Sequence, residues 1–231
     1  TDEDEGAVQA VQVDESGTAI TDVSVKNNTI TDLLDTRSTV AVRFNGNVSG
    51  SISGNNISDL NTEGTIPGSG GDPGGFTQVI ALQQGGASET GPSDVTIEGN
   101  EISNIETTTD DNFAPPFHII IGPNADAGTI SIENNDFSAD SVDPGGDVYV
   151  GGNTGGLNLD AILNDQGNTF DRAVAIENET GTLQTSIGSS VQFAVDQASP
   201  GDTISVGPGT FNESVTIDTE GVTVEGPNAG I

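Results

Sequence analysis

Two carboxylates stand side by side at Asp110 and Asp111, in the polar stretch ETTTDDNFAPP (106–116). Such a pair can act as general acid and general base when its surroundings separate the two pKa values. His118, the only histidine, follows in the run FHIII (117–121), and Arg43 lies in TVAVRF (39–44). Each has an ordinary structural reading. With 36 Asp and Glu in 231 residues, adjacent acid pairs are commonplace. An imidazole inside an apolar run is more often structural than catalytic. Arg43 is one of four cations, with Lys26, Arg37 and Arg172, and is expected to pair with a nearby carboxylate. No catalytic set is therefore assigned; Asp110, Asp111, His118 and Arg43 are the alternative should the chain be an enzyme.

Hard oxygen ligands suit Ca²⁺ or Mg²⁺, and TDEDE (1–5) and NDQG (164–167) are the local clusters that would offer them. Neither an EF-hand loop nor a Gly- and Asp-rich nonapeptide repeat is present, and a solvated acidic face with diffuse monovalent cations is the stronger expectation. No cofactor is expected, with Ca²⁺ or Mg²⁺ as the candidates otherwise.

A net charge of −32 repels nucleic acid and anionic lipid, because phosphate binding needs clustered Lys and Arg. In salt of about 1 M the Debye length is about 3 Å, so the same carboxylates scarcely feel one another. Cysteine is absent, which removes disulfides and thiolate metal sites. No apolar run reaches membrane-spanning length and no signal peptide is read, so membrane insertion is not expected. The first residue is Thr1 rather than Met, so a processed product or a segment of something longer is expected. Asn-X-Ser/Thr sequons at Asn27, Asn47, Asn56, Asn178 and Asn212 favour an exported, glycosylated surface protein.

The elements that must carry these residues are written as a repeat. VKNNTITDL (25–33) returns almost unchanged as ISGNNISDL (52–60). The shared pattern is apolar, two spacers, Asn, spacer, apolar: Val25/Asn28/Ile30, Ile52/Asn55/Ile57, Ile97/Asn100/Ile102, Ile132/Asn135/Phe137, and a degraded Asn168/Phe170. Asn recurs at spacings of 27, 45, 35 and 33, a constant motif with unequal loops. Ahead of each copy lies a second apolar run: residues 7–13, 39–44, 77–82, 117–121, 147–150 and 172–177. Val40, Val42 and Phe44 alternate with Ala41 and Arg43, as a half-buried strand would. Each unit thus holds at least two strands and no helix-length segment. A coiled stack of parallel strands about 4.8 Å apart accounts for this better than disorder or an antiparallel sandwich. The Asn column is expected to turn a bend in left-handed backbone and to bond along the stack.

At this point the sequence resembles the parallel β-helix of the pectin-lyase-like family. That resemblance implies an all-β, right-handed solenoid with an Asn-ladder bend, formed by Asn28, Asn55, Asn100, Asn135 and Asn168. It also implies carbohydrate chemistry in some members, with Arg or Lys as base beside Ca²⁺-binding Asp in lyases and paired Asp in hydrolases. The full set of short motifs found in polygalacturonase-like hydrolases is missing. The acidic excess with almost no Lys resembles the proteins of extremely halophilic archaea.

Residues 187–231 change character. Val191, Ala194, Val195 and Ala198 suit a short capping-type helix near 190–198, stopped by Pro200-Gly201, and strand-like runs follow at 203–206, 214–217 and 222–226. Gly201-Asp202-Thr203-Ile204 and Pro208-Gly209-Thr210-Phe211 resemble the opening turn of NosD-like surface proteins. The expected division is 1–180, β-helix turns with inserted loops, and 181–231, a cap and first turn of a following β-helix or a docking segment. The expected function is an extracellular or cell-surface structural protein that stacks on itself head to tail, or on further solenoid domains of a longer chain. The alternatives are a carbohydrate-active or surface-glycan-binding module and a viral spike of the same fold.

Overall fold

The computed structural model describes residues 8–35, 38–63, 77–83, 90–108, 117–122, 124–137, 146–150, 162, 165–170, 174–177, 185–187, 191–206 and 211–226. The chain is an all-β parallel solenoid. Its first rung is β1 (Val8–Asp14), β2 (Ile20–Lys26) and β3 (Thr29–Asp35). The second is β4 (Thr39–Asn45), β5 (Val48–Ser53) and β6 (Asn56–Glu63), and the third β7 (Thr77–Gln83), β8 (Val95–Glu98) and β9 (Glu101–Thr108). The fourth holds β10 (Phe117–Ile121), β11 (Ser131–Glu133) and a bridge at Asp136; β12 (Gly146–Val150) and a bridge at Thr169 follow. Three strands per rung, rather than the two legible as a minimum, stack into three parallel sheets, β1-β4-β7-β10-β12, β2-β5-β8-β11 and β3-β6-β9.

In-register stacking turns each apolar position into a column. Val11, Val42, Ile80, Ile119 and Val148 line the first sheet, Val25, Ile52, Ile97 and Ile132 the second, and Ile30, Ile57 and Ile102 the third. They meet in one core cluster. Each fully buried aliphatic chain contributes about 1.5–3 kcal/mol, so short β-branched strands supply a core without Trp or Met.

Simple alternation fails in the first sheet. Ala41 and Val42 both enter the core cluster, as do Val79 and Ile80, while Val40 is buried outside it. The inward face therefore switches parity in mid-strand. Thr39 and Thr77, one above the other at the start of these strands, are buried and bonded: Thr77 Oγ1 donates to Thr62 Oγ1 at 2.9 Å, and Thr39 Oγ1 to the Asn61 carbonyl at 2.7 Å.

The bend between the second and third sheets carries the Asn ladder. The backbone N–H and side-chain Nδ2 of Asn28 both donate to Oδ1 of Asn55, at 3.0 and 2.9 Å. Asn55 makes the same pair of bonds to Asn100, Asn100 to Asn135, and Asn135 to Asn168, all at 2.9–3.1 Å. The second Nδ2 hydrogen reaches back to the rung before, to the carbonyls of Val25, Ile52, Ile97 and Ile132. Those acceptors are the first apolar residue of each motif, which explains why apolar and Asn positions recur at fixed spacing. Interior amides are thus fully satisfied where an unpaired polar group would cost about 1–3 kcal/mol.

The left-handed residue of the bend is the one before each ladder Asn, which corrects the expectation that Asn itself takes that conformation. Asn27, Gly54, Gly99, Asn134 and Gly167 have φ of 55°, 62°, 61°, 54° and 71°. Only Gly and Asn occupy this position, two of the residue types that tolerate positive φ best. A second left-handed column, Asp32, Asp59 and Asn104, kinks β3, β6 and β9 four residues after each Asn.

The last part of the chain departs from parallel stacking. β14 (Thr185–Ile187) pairs antiparallel with β12, ending the first sheet, and β13 (Val174–Glu177) pairs antiparallel with β15 (Thr203–Val206). Val174–Glu177, the described part of the run 172–177 read as the sixth strand of the first column, therefore belongs to another sheet. β15 then pairs in parallel with β16 (Thr223–Glu225), Thr203 beside Thr223. Helix α1 (Val191–Gln197) packs Val191, Ala194 and Val195 with Ile204 in a second, smaller cluster. The run 214–217 is not a strand: it pairs with no ladder and is exposed.

Candidate functional site

The residues singled out for chemistry are not brought together among those described. Asp110 and Asp111 lie outside the described residues, as do TDEDE (1–5), Asn164 and Asn178. His118 stands inside the coil rather than on its outer face. It is fully buried, its ring 5.5 Å from Phe137 and 8° from parallel, and Phe137 stacks on Phe170 at 5.1 Å. The parity switch is the cause: His118 occupies the place of Ala41 and Val79, one residue before the Val42–Ile80–Ile119 column.

Arg43 is on the outer face of the first sheet, one rung from Gln12 and Ala81. Desolvation by burial lowers its pKa, opposed by the charge of Asp14. Around it the outer face is itself buried at Val40, Gln78, Ala81 and Ile120.

Among the described residues, no three His, Cys, Asp or Glu side chains converge as a metal-ligating group. Oxygen-rich chemistry is instead spread along the outer third sheet. There the kink at Asp32, Asp59 and Asn104 faces Leu34, Asn61 and Glu106 across a groove of about 330 Å³ that runs along the stack. Asp59 accepts hydrogen bonds from Asn104 Nδ2, Ser58 Oγ and Thr31 Oγ1, and these hold its carboxyl below its usual value. On the sequons, Asn27, Asn56 and Asn212 are exposed and Asn47 is half-buried.

The two ends of the described chain differ from its middle. β1, β2 and β3 are the outermost strands of their sheets, and Val11, Val13, Ile20, Val23 and Leu33 are only half-buried against the core. Asn28 is exposed, and among the described residues no donor reaches its Oδ1. At the opposite end the ladder is closed by the chain itself. Asn168 Nδ2 donates to the carbonyls of Ile132 and Ile162, at 2.8 and 3.1 Å, so the hydrogen that earlier rungs pass forward is taken locally.

The last turn is held by side chains whose sequence separation carries no period. Both carboxylate oxygens of Glu213 accept from the first amides of α1, Val191 and Gln192, at 2.9 Å. The Gln192 side-chain amide pairs with the Thr216 backbone, accepting from its N–H at 2.7 Å and donating to its carbonyl at 3.2 Å. Asp202, in the Gly-Asp-Thr-Ile motif, is buried and accepts from the Ser199 N–H at 2.7 Å.

The fold is a parallel β-solenoid with an internal Asn ladder, in which β1, β2 and β3 are, among the described residues, the outermost strands of their sheets. No protein-family model, curated protein or solved structure matches the chain.

Proposed function

We propose that the chain is an extracellular or cell-surface structural protein of a halophilic archaeon, a pectin-lyase-like, NosD-like right-handed β-helix whose copies stack end to end. The observation that carries the reading is the first rung, where among the described residues three strands are outermost in their sheets, the apolar cross-section is half-buried and no donor reaches the ladder acceptor Asn28 Oδ1. Unpaired edges of this kind template further strands unless covered. The salt-loving part of the reading draws on like charges placed one strand apart, Glu98 beside Glu133 and Glu101 bridged to Asp136. Such neighbours repel in dilute buffer and are screened in molar salt. The exposed sequon residues Asn27, Asn56 and Asn212 support glycan attachment at a cell surface.

Electron microscopy of the protein in molar potassium chloride tests this. Fibres with an axial repeat of one solenoid are expected; isolated rods at every concentration would remove the assembly reading. A second reading, glycan binding, draws on the groove between Asp59 and Glu106, whose carboxylates and exposed Leu34 suit sugar hydroxyls and a sugar face. Retention on an immobilised neutral polysaccharide, lost in Asp59→Ala, would favour it.

A further inference from the structure

We infer that the contact between copies is heterologous: the last turn of one copy, residues 211–217 with β16, seats on the first rung of the next, along β1 and β3. This rests on the end-to-end reading above and names its two surfaces.

The distribution of exposed apolar side chains comes first. Among the described residues, the exposed large hydrophobics are Val8 (36%), Leu34 (58%), Val215 (39%), Ile217 (48%) and Val224 (41%). Val8 and Leu34 lie on the first rung and the other three on the last turn, with none on the rungs between. Val215 and Ile217 stand two residues apart and are both exposed.

The backbone points the same way. One side of 214–217 is held at Thr216 by the Gln192 amide, while β16 is the outermost strand of its sheet. β16 continues β15 in parallel, and among the described residues no strand pairs with its other edge. β1 is an outermost strand whose one neighbour, β4, is parallel to it.

Two first rungs facing each other would be a poor alternative. The ladder runs in one sense, so a head-to-head pair would set Asn28 Oδ1, an acceptor, against its own copy. It would also bring Lys26, exposed on β2, against itself, whereas the last turn offers the exposed carboxylates of Asp218, Glu220 and Glu225. A head-to-tail contact of this kind does not close and propagates as a filament.

Two doubly substituted variants of the 231-residue chain test the geometry, Val8→Lys with Leu34→Lys and Val215→Lys with Ile217→Lys. All four sites are exposed, and circular dichroism checks that each variant keeps its strand signal. By sedimentation velocity in molar potassium chloride, the unsubstituted chain is expected to form a concentration-dependent series. Each variant alone is expected to lose every species beyond monomer, and an equimolar mixture to give dimers and nothing larger, because one intact surface remains on each. An unsubstituted chain that stays monomeric would overturn the end-to-end reading and this inference together. A chain that assembles while either variant assembles too, or variants that dimerise alone, would overturn the inference and leave the assembly reading standing.

Discussion

In the coil, the backbone at each bend is satisfied by the same side chain one rung further on, four times over: Asn28 by Asn55, Asn55 by Asn100, Asn100 by Asn135 and Asn135 by Asn168. In the last turn, equivalent needs are met by three unlike side chains, Glu213, Gln192 and Asp202, bonding partners 22, 24 and 3 residues away. The first arrangement is translational, so every interior member depends on both neighbours and a lesion is shared. The second is assembled piecewise, and each bond serves one place. The contrast teaches that repetition gives cooperativity along the axis, while a turn outside the repeat is held by bonds that serve it alone.

The largest expected effect breaks the ladder in its middle. Asn100→Ala removes the acceptor of the Asn55 N–H and Nδ2 and the donor to the Ile52 carbonyl, all buried. At about 1–3 kcal/mol for each orphaned group, a loss of about 4 kcal/mol is expected in urea unfolding at constant molar salt. Asn28→Ala, at the exposed end, is expected to cost about 1 kcal/mol. Equal losses at the two positions would show that the ladder is a row of independent bonds. Next in size, Glu213→Ala leaves two first-turn amides of α1 without their carboxylate and should weaken the last turn by about 1–2 kcal/mol. Hydrogen exchange is the measurement: the Val191 and Gln192 amides should speed up while those of β5 and β6 do not. Acceleration in both regions would merge the two into one cooperative unit.

Smaller effects sharpen the picture of the coil's outer columns. Glu98→Gln removes one of two stacked carboxylates and should stabilise by about 0.5 kcal/mol in dilute buffer, with the gain vanishing in molar salt. A gain that persists in molar salt would point to desolvation instead of repulsion. Smallest is the contribution of Asp59, whose folded pKa lies below the ordinary 3.8 because Asn104, Ser58 and Thr31 bond to the ionised form. Its contribution is fully present above that ordinary value and is lost as pH falls through the lowered one. Asp59→Asn should therefore lower stability slightly at neutral pH and flatten the acid limb of the stability curve below pH about 4, where the difference from the unsubstituted chain disappears. An unchanged acid limb would mean these hydroxyl and amide bonds are made equally to the protonated carboxyl.

Much of the scaffold was legible because stacking imposes a period that a single chain must write out. The Asn positions and their flanking apolar residues showed through loops of unequal length, since they alone are tied to the neighbouring rung. The predecessor of each Asn was equally visible as Asn27, Gly54, Gly99, Asn134 and Gly167, yet left-handed backbone was ascribed to the wrong member of each pair. His118 could not be placed by alternation, because the parity switch at Ala41–Val42 is a property of three-dimensional packing. The run at 214–217 has the composition of a strand, but among the described residues no strand pairs with it. Glu213 and Gln192 bond across 21 to 24 residues without any repeat to announce them. Of the chemical candidates, Arg43 and His118 are separated by the sheet itself, one outside and one within.

The unequal spacing of the ladder has a consequence for how this molecule tolerates change. Between Asn28 and Asn55 the chain travels 27 residues, and between Asn55 and Asn100 it travels 45, yet both pairs meet at 2.9–3.1 Å. The excursion between rungs is thus decoupled from the register of the rungs. The solenoid behaves as a rack with independent slots, in which a segment can be lengthened, exchanged or grafted at one level while the levels above and below keep their alignment.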